Sequence, residues 1–553
     1  MKHTLQLILL LASSYLSSAQ VYNWAYSAGG TGWDDLRSIY LSPDNGVLQT
    51  GMFSGTASFG ATTLNSAGFQ DAFVAKYDAM GNVLWAKAIS GTEQDWGYKV
   101  CADNQNNVYV TGYFQSSALY FTPSDSIVRS PASARNLFLA KYSSNGTFLW
   151  VKHGSAGATN GMLTARSVTV DNQNNIILSG DYTKEIQFDA TTLPFTNAAN
   201  IFLVKFDTNG NLLWHKAGIS NSICWFNDMI TDATNNIYVC GKISTTISFG
   251  LTSIPNHGGD DLVVGKFDPN GNLLWMHVEG KPIPATTTSY NFDCSNSIAL
   301  DPSGNIYIGG SLLDTTYYHA PTNSMITKQW AVVAKFTNNG NLLWLKKFGN
   351  HEKNNIHDIT VDNNGDLYAI GVYQDTLQVG GTNLPIASNP AAFVAKFAAN
   401  NGNTLFAYQN GSSLTEWEGI GIAINPLSGH LITSGNYRSQ VNFGNNTLTS
   451  NGVWDIYITL LNNAIVQGLS DPTRNQLITL YPNPGSQYLH FDTHNQPITL
   501  LHATLYSTTG QTLASYPLTQ QLRIPISSLA SGNYILELSD QHHNSYWKLF
   551  TKE

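Results

Sequence analysis

The sequence predicts an all-β protein: a seven-bladed β-propeller closed by an N-terminal strand, followed by a small antiparallel β-sandwich. Three observations carry this expectation. A block ending in tryptophan recurs at Trp85, Trp150, Trp214, Trp275 and Trp344, with a degenerate copy at Phe406, at intervals of 61 to 69 residues. A second block, such as Val168-Thr-Val-Asp-Asn-Gln-Asn-Asn-Ile-Ile-Leu-Ser-Gly180, precedes the first in each interval. After about residue 463 the period stops, and short strand-like runs follow at closer spacing. A period this long is too regular for chance and too long for a pair of solenoid helices, so each unit reads as a small sheet.

Composition agrees. The chain has 553 residues, of which 11% are charged, 12% are aromatic and 47 are glycine; an average soluble protein is about 25% charged. A disordered, charge-solvated chain is excluded. The net charge of −9 offers no clustered lysine and arginine for nucleic acid or anionic lipid.

The elements follow in chain order. Residues 1–19 read as a secretory signal: Lys2 and His3 open it, Leu5 to Ala12 form its apolar core, and Ser17-Ser18-Ala19 supplies the small residues of a cleavage site. That apolar run is too short to span about 30 Å of hydrocarbon. Residues 20–463 hold the propeller. The anchors Ile39, Val100, Val168, Met229, Ile298, Ile359 and Ile422 count seven units. Within a unit, four runs alternate with turns of the Asp-x-x-Gly-Asn kind, which supply the positive-φ position that a short hairpin needs. Runs such as Val108-Tyr-Val and Phe73-Val-Ala-Lys-Tyr77 are apolar on both faces, as expected of sheets packed between neighbours. The last unit lacks its fourth strand, and Tyr22-Asn-Trp-Ala-Tyr26 matches the missing pattern. A ring that borrows its final strand from the opposite end of the chain leaves no open edge. Residues 464–474 form a linker, and 475–553 the sandwich, with turn signals every eight to twelve residues.

The four cysteines (Cys101, Cys224, Cys240, Cys294) form no metal or redox pair, and a Cys224–Cys294 disulfide is left open. The Asp-x-x-Gly-Asn turns lack the further carboxylates of a calcium loop, and His542-His543 has no third ligand, so no metal and no cofactor are expected.

The units resemble the bacterial family of seven-bladed β-propeller repeats, through Asp-x-x-Gly-Asn-x-Tyr-x-x-Gly and Phe-x-x-Lys-x-x-x-x-Gly-x-x-x-Trp. That family brings no common catalytic residues, and fold does not fix function. Tyr481-Pro-Asn-Pro484, Leu505-Tyr506, Gly532-Asn-Tyr-Ile-Leu-Glu-Leu538, Lys548 and Lys552 resemble the type A C-terminal sorting domain of the type IX secretion system. The resemblance implies a Bacteroidetes-type envelope and export through the periplasm to the outer-membrane surface or beyond. Its partners would be the translocon and a sortase, both acting on residues 475–553.

No catalytic motif is present. If the long loops between units share one face, they form a surface on a rigid frame. They carry aromatics beside acids: Trp33, Asp34, Asp35, Asp95, Trp96, Trp225, Asp228, Phe292, Glu416 and Trp417. Indole faces beside carboxylates suit sugar rings, so these are ligand-binding candidates; inter-sheet packing is the competing role for them. The expected function is that of a monomeric secreted or surface binding protein for glycan or protein. A polysaccharide-degrading enzyme using Asp34, Asp35, Asp228 or Asp358 at the channel mouth is the first alternative, and a structural scaffold the second. The recurring tryptophans and Lys76, Lys141, Lys205, Lys266, Lys335 and Lys396 are expected to be structural.

Overall fold

The structure, a computed structural model, describes residues 22–130, 133–156, 160–188, 190–196, 198–280, 293–314, 328–351, 353–425, 429–461, 478–493, 499–507, 512–518, 522–540 and 545–553. The signal segment, the linker, Phe292 and His542-His543 lie outside them. Among the described residues every regular element is a β-strand. The chain forms two compact units, one spanning Tyr22–Leu461 and one holding the described residues from 478 onward.

The larger unit repeats one antiparallel sheet of four strands, here called a to d. In the first sheet these are Asp35–Leu41, Val47–Phe53, Asp71–Tyr77 and Val83–Ile89. The order a-b-c-d recurs in sheets whose a strands are Asp95–Ala102, Gly161–Val170, Cys224–Thr231, Cys294–Leu300, Asn355–Val361 and Trp417–Ile424. In the last of these the d strand is Tyr22–Gly30, which pairs antiparallel with the c strand Asp455–Leu461. The b and c strands are buried along their length, as in Ile237–Ile243 and Asp261–Phe267. Sheets enclosed on both faces leave few positions for charge.

The turns explain the Asp-x-x-Gly-Asn signature. Between strands a and b of the third sheet, Asp171 Oδ1 accepts the amides of Gln173 and Asn175 at 2.9 Å each. Asp103, Asp232 and Asp301 do the same in their sheets. These carboxylates close the hairpin on themselves, and among the described residues no group of three or more His, Cys, Asp or Glu is placed to hold a metal ion. The buried lysine of strand c reaches back to the same aspartate, with Lys205 2.7 Å from Asp171 and Lys335 3.1 Å from Asp301.

The recurring tryptophan joins one sheet to the next. Trp85 Nε1 donates to Ser144 O at 3.0 Å, Trp150 to Thr208 O, Trp214 to Pro269 O, Trp275 to Asn338 O and Trp344 to Ala399 O. Each acceptor lies in the c–d turn of the following sheet. The positive-φ glycine of that turn leaves room for the indole: a Cβ on Gly146 would stand 2.6 Å from Trp85, and one on Gly340 2.8 Å from Trp275. Trp24, in the N-terminal strand, holds the same place over Gly81, at 2.8 Å.

Among the described residues, the connection from b to c holds a hairpin of its own in six of the seven sheets. Thr56–Phe59 with Thr62–Asn65 adds to strand Tyr22–Gly30, and Ile186–Phe188 with Thr191–Leu193 adds to Phe148–Ala156. Each hairpin thus covers the outer edge of the preceding sheet, an edge that would otherwise invite pairing with other chains.

The smaller unit has a three-stranded sheet, Thr479–Tyr481, Tyr488–Asp492 and Arg523–Pro525. A four-stranded one holds Thr512–Pro517, Leu500–Ser507, Gly532–Asp540 and Ser545–Lys552. Leu489, Leu505, Ile524, Leu536 and Phe550 are in its core.

Candidate functional site

Every a strand carries one β-bulge at the same place. The register shifts between Leu36 and Ser38, Gly97 and Lys99, Ala165 and Ser167, Phe226 and Asp228, Ser295 and Ser297, Ile356 and Asp358, and Gly419 and Gly421. The extra residue is left without a ladder partner and turns away from its own sheet. The extra residues are Arg37, Tyr98, Arg166, Asn227, Asn296, His357 and Ile420, and all of them line one cavity of about 390 Å³.

The bulge residues also bind strand to strand. Asn227 Nδ2 donates to Ser295 O at 3.0 Å, and Asn296 Nδ2 to Ile356 O at 2.8 Å. His357 Nδ1 lies 2.8 Å from Gly419 O; a carbonyl only accepts, so Nδ1 bears the proton. Arg37 pairs with Asp35 at 2.7 Å, and Arg166 pairs with Asp181.

One residue further along, the a strands form the floor of the cavity. Lys99 reaches Asp228, two sheets away, at 2.6 Å. Ser297 Oγ stands 2.6 Å from Asp358 Oδ1 and 3.3 Å from Asp228 Oδ2. The bulges free backbone amides, and the two aspartates take them up. Asp228 accepts from Met229 and Ile298, and Asp358 from Ile359 and Ile422. Burial raises the Asp358 pKa to about 6, although Lys99 and these hydrogen bonds work against it. Burial alone would lower the Lys99 pKa, but the Asp228 and Asp358 carboxylates more than offset it, so the ammonium is held charged. The site is therefore a cup over a hydrogen-bonded ionic cluster, into which Lys99 and Asp358 reach, with a rim of mixed donors and acceptors.

The sequence-predicted residues divide. Asp35 and Asp358 line the cup. Trp33 is 46% exposed, and Glu416 is half-buried, 3.5 Å from Arg438. Asp34 and Asp95 are fully buried, and Trp417 is buried with its Nε1 bonded to Asn410 O. These three do not face a ligand, because the start of an a strand is where one sheet packs on the last. Trp96 and Trp225 are half-buried, but cations already occupy their faces: Arg37 lies 4.9 Å from the Trp96 ring, and Arg166 and Lys242 lie 4.2 Å from that of Trp225. Asp228 has both oxygens engaged in the floor and does not line the cup. All four cysteines are free, Cys224 beside Ser220 and Cys294 beside Asn227, so the Cys224–Cys294 disulfide is not formed. The rim residues were not foreseen.

Fold and tail define an all-β exported protein, and comparison with known proteins sharpens the tail. Residues 479–552 match the family described as "Secretion system C-terminal sorting domain". The chain is accordingly exported by the type IX system to the cell surface or released. It is 24% identical over 479 residues to an uncharacterized WD repeat-containing protein of Acanthamoeba polyphaga mimivirus. That match takes in 73% of this chain and 34% of the relative, so the chain spans about a third of that protein's length. Among solved structures, the quinohemoprotein alcohol dehydrogenase of Comamonas testosteroni aligns at 10% identity and a TM-score of 0.38, over 82% of this chain and 77% of that one. The extracellular domain of a putative hybrid two-component system of B. thetaiotaomicron aligns at 12% identity and 0.15, over 94% and 97%.

Proposed function

We propose that the chain is an exported binding protein whose sheets are the seven blades of one closed propeller, of the bacterial repeat type, with the cup as its ligand site. Closure is supported by the a strand Asp35–Leu41, which lies beside both Asp95–Ala102 and Trp417–Ile424. The amide of Leu36 donates to Asn436 Oδ1 across the same join at 2.8 Å. The observation that carries the binding reading is the rim: a repeating frame presents five kinds of side chain, Arg, Tyr, Asn, His and Ile, at its seven bulges. Packing positions stay alike from sheet to sheet, whereas these positions change size and charge. The ligand is a glycan or a segment of a surface protein small enough to enter about 390 Å³.

Glycan arrays and surface-protein pull-downs with the purified chain test this. Arg37→Ala and His357→Ala should each abolish capture, with the fold intact by circular dichroism and the melting temperature lowered by a few degrees, because each side chain also braces the frame through Asp35 or Gly419 O. Capture that survives both changes assigns binding elsewhere and leaves the scaffold role ahead. Asp358, raised to about 6, and Asp35, also raised by burial, both line the cup and favour the enzyme alternative. Polysaccharide turnover lost in Asp358→Asn, with binding retained, would establish that alternative.

A further inference from the structure

The joints between sheets contain buried acids in pairs. Asp34, just before the first a strand, and Asp455, which opens the last c strand, are both fully buried. Their oxygens approach the same point: a Cβ on Gly29 would lie 2.8 Å from Asp34 Oδ2 and 2.6 Å from Asp455 Oδ1. Asp34 accepts the amides of Gly30 and Ser54, and Asp455 Oδ2 accepts that of Asn451. Asp455 Oδ1 is buried with no hydrogen-bond partner. One joint further on, Asp95 and Asp71 are again fully buried around a glycine. Gly91 donates to Asp71 Oδ1 at 3.1 Å, and a Cβ on it would lie 2.5 Å from Asp95 Oδ2.

The repeat supplies its own comparison. Where the position of Asp34 is taken by Leu163 or Cys224, the position of Asp455 is taken by Asn136 or Asn200. Where it is Asp293, the partner position is Asp261, whose Oδ1 again has no hydrogen-bond partner. At these five joints acid accompanies acid and amide accompanies a neutral residue; the other two pair Asn354 with Trp330 and Trp417 with Ala391, with no acid at either position. If the c-strand group served only to accept amides, aspartate and asparagine would mix freely across these joints.

We propose that Asp34 with Asp455, and Asp95 with Asp71, each hold a single proton between two carboxyls and so make these joints acid-stabilised latches. A proton on Asp34 supplies the donor that Asp455 Oδ1 lacks and removes the repulsion of two buried charges. Among the groups facing the first pair, the Tyr437 hydroxyl, raised to about 12 by burial and then by Asp455, stays neutral, and Ser27 is bonded to it. Asp35 and Arg37, on the adjoining a strand, neutralise each other. Around the second pair, Ser116 donates to Asp95 at 2.6 Å, and Ser90 and Ser66 serve Asp71. Burial pushes Asp34 up to about 7 and Asp95 up to about 6, with the partner acid adding to each. Between the ordinary carboxyl value and these, the folded chain holds more protons than the unfolded one. The stability from the latches is therefore fully present at acid pH and lost as pH rises through about 6 to 7.

Melting of the full chain at pH 5 and pH 8.5, followed by tryptophan fluorescence, tests this together with Asp34→Asn and Asp455→Asn. Either amide reproduces the neutral joint, so each variant should melt several degrees above the parent at pH 8.5 and no higher at pH 5. Infrared spectra of the parent at pH 5 should show the carbonyl stretch of a buried protonated carboxyl, weakened in Asp34→Asn. The same alkaline loss in parent and variants, or no such band in the parent, overturns the proposal. The band needs no variant, so a failure of either variant to fold leaves the test intact.

Discussion

Asp228 shows how position in a sheet assigns a residue its work. Its two oxygens accept two backbone amides and face Lys99 at 2.6 Å. Asp228→Asn leaves Lys99 with Asp358 as its remaining counter-charge, and breaking a buried pair costs up to about 3–5 kcal/mol. Denaturant titration should show that loss, with any change in ligand capture following from it. Trp85, 8% exposed and bonded across a joint, is a second case. Trp85→Ala should cost about 3–5 kcal/mol and Trp85→Phe about 1–2, since phenylalanine keeps much of the apolar contact but leaves Ser144 O without its donor. Both roles were half legible. The recurrence of the tryptophan marked it as structural, whereas Asp228 stood beside Trp225 and read as part of a sugar site. Nothing in composition tells a carboxylate facing solvent from one facing a bulge. The bulge itself does leave a trace. Leu36-Arg-Ser-Ile39, Phe226-Asn-Asp-Met229 and Ile356-His-Asp-Ile359 place two residues between core positions where strict alternation would place one.

At the level of the element, the four-stranded unit was readable because its turns are local chemistry. An aspartate followed at fixed distance by Asn or Gly closes a hairpin wherever it falls. The third sheet shows the fit: its c and d strands, Asn200–Phe206 and Leu212–Ser220, flank a turn that opens with Asp207 and holds Gly210-Asn211. The added hairpins were missed because their strands are only three or four residues long and too polar to stand out, as in Thr56-Ala-Ser-Phe59. They become strands by docking on an edge already formed. A glycine test belongs at this scale. Gly146 has φ +79° under the Trp85 ring. Gly146→Ala should therefore lose more than the roughly 1 kcal/mol of a left-handed strain alone, because the new methyl also displaces the indole. Combining it with Trp85→Ala should show strong non-additivity in a double-mutant cycle.

For the whole molecule, sheets whose inner strands are buried along their length account for the sparse charge noted at the outset. Removal of residues 479–552 should abolish surface display and leave the remainder in the periplasm, as cell fractionation would show. The same chain with only Arg37→Ala and His357→Ala should reach the surface normally, separating delivery from capture. The tail could be recognised because its motifs are short contiguous runs, such as Tyr481-Pro-Asn-Pro484, that can be read directly from the sequence. The cup could not, because its residues lie some 60 positions apart and meet only through the bulges.

The N-terminal strand pairs with one of the last strands of its unit to be synthesised, and Ser27 meets Tyr437 across 410 positions. That separation sets an order in time. Joining such distant segments of a free chain costs several kcal/mol in loop entropy, and the cost shrinks only when the intervening sheets have already formed. Tyr22–Gly30 must therefore wait, edge exposed, until the rest is assembled, and it is the first element to come away again. Contacts of Trp24 should form after the folding barrier, so Trp24→Ala should hasten unfolding severalfold and barely slow refolding.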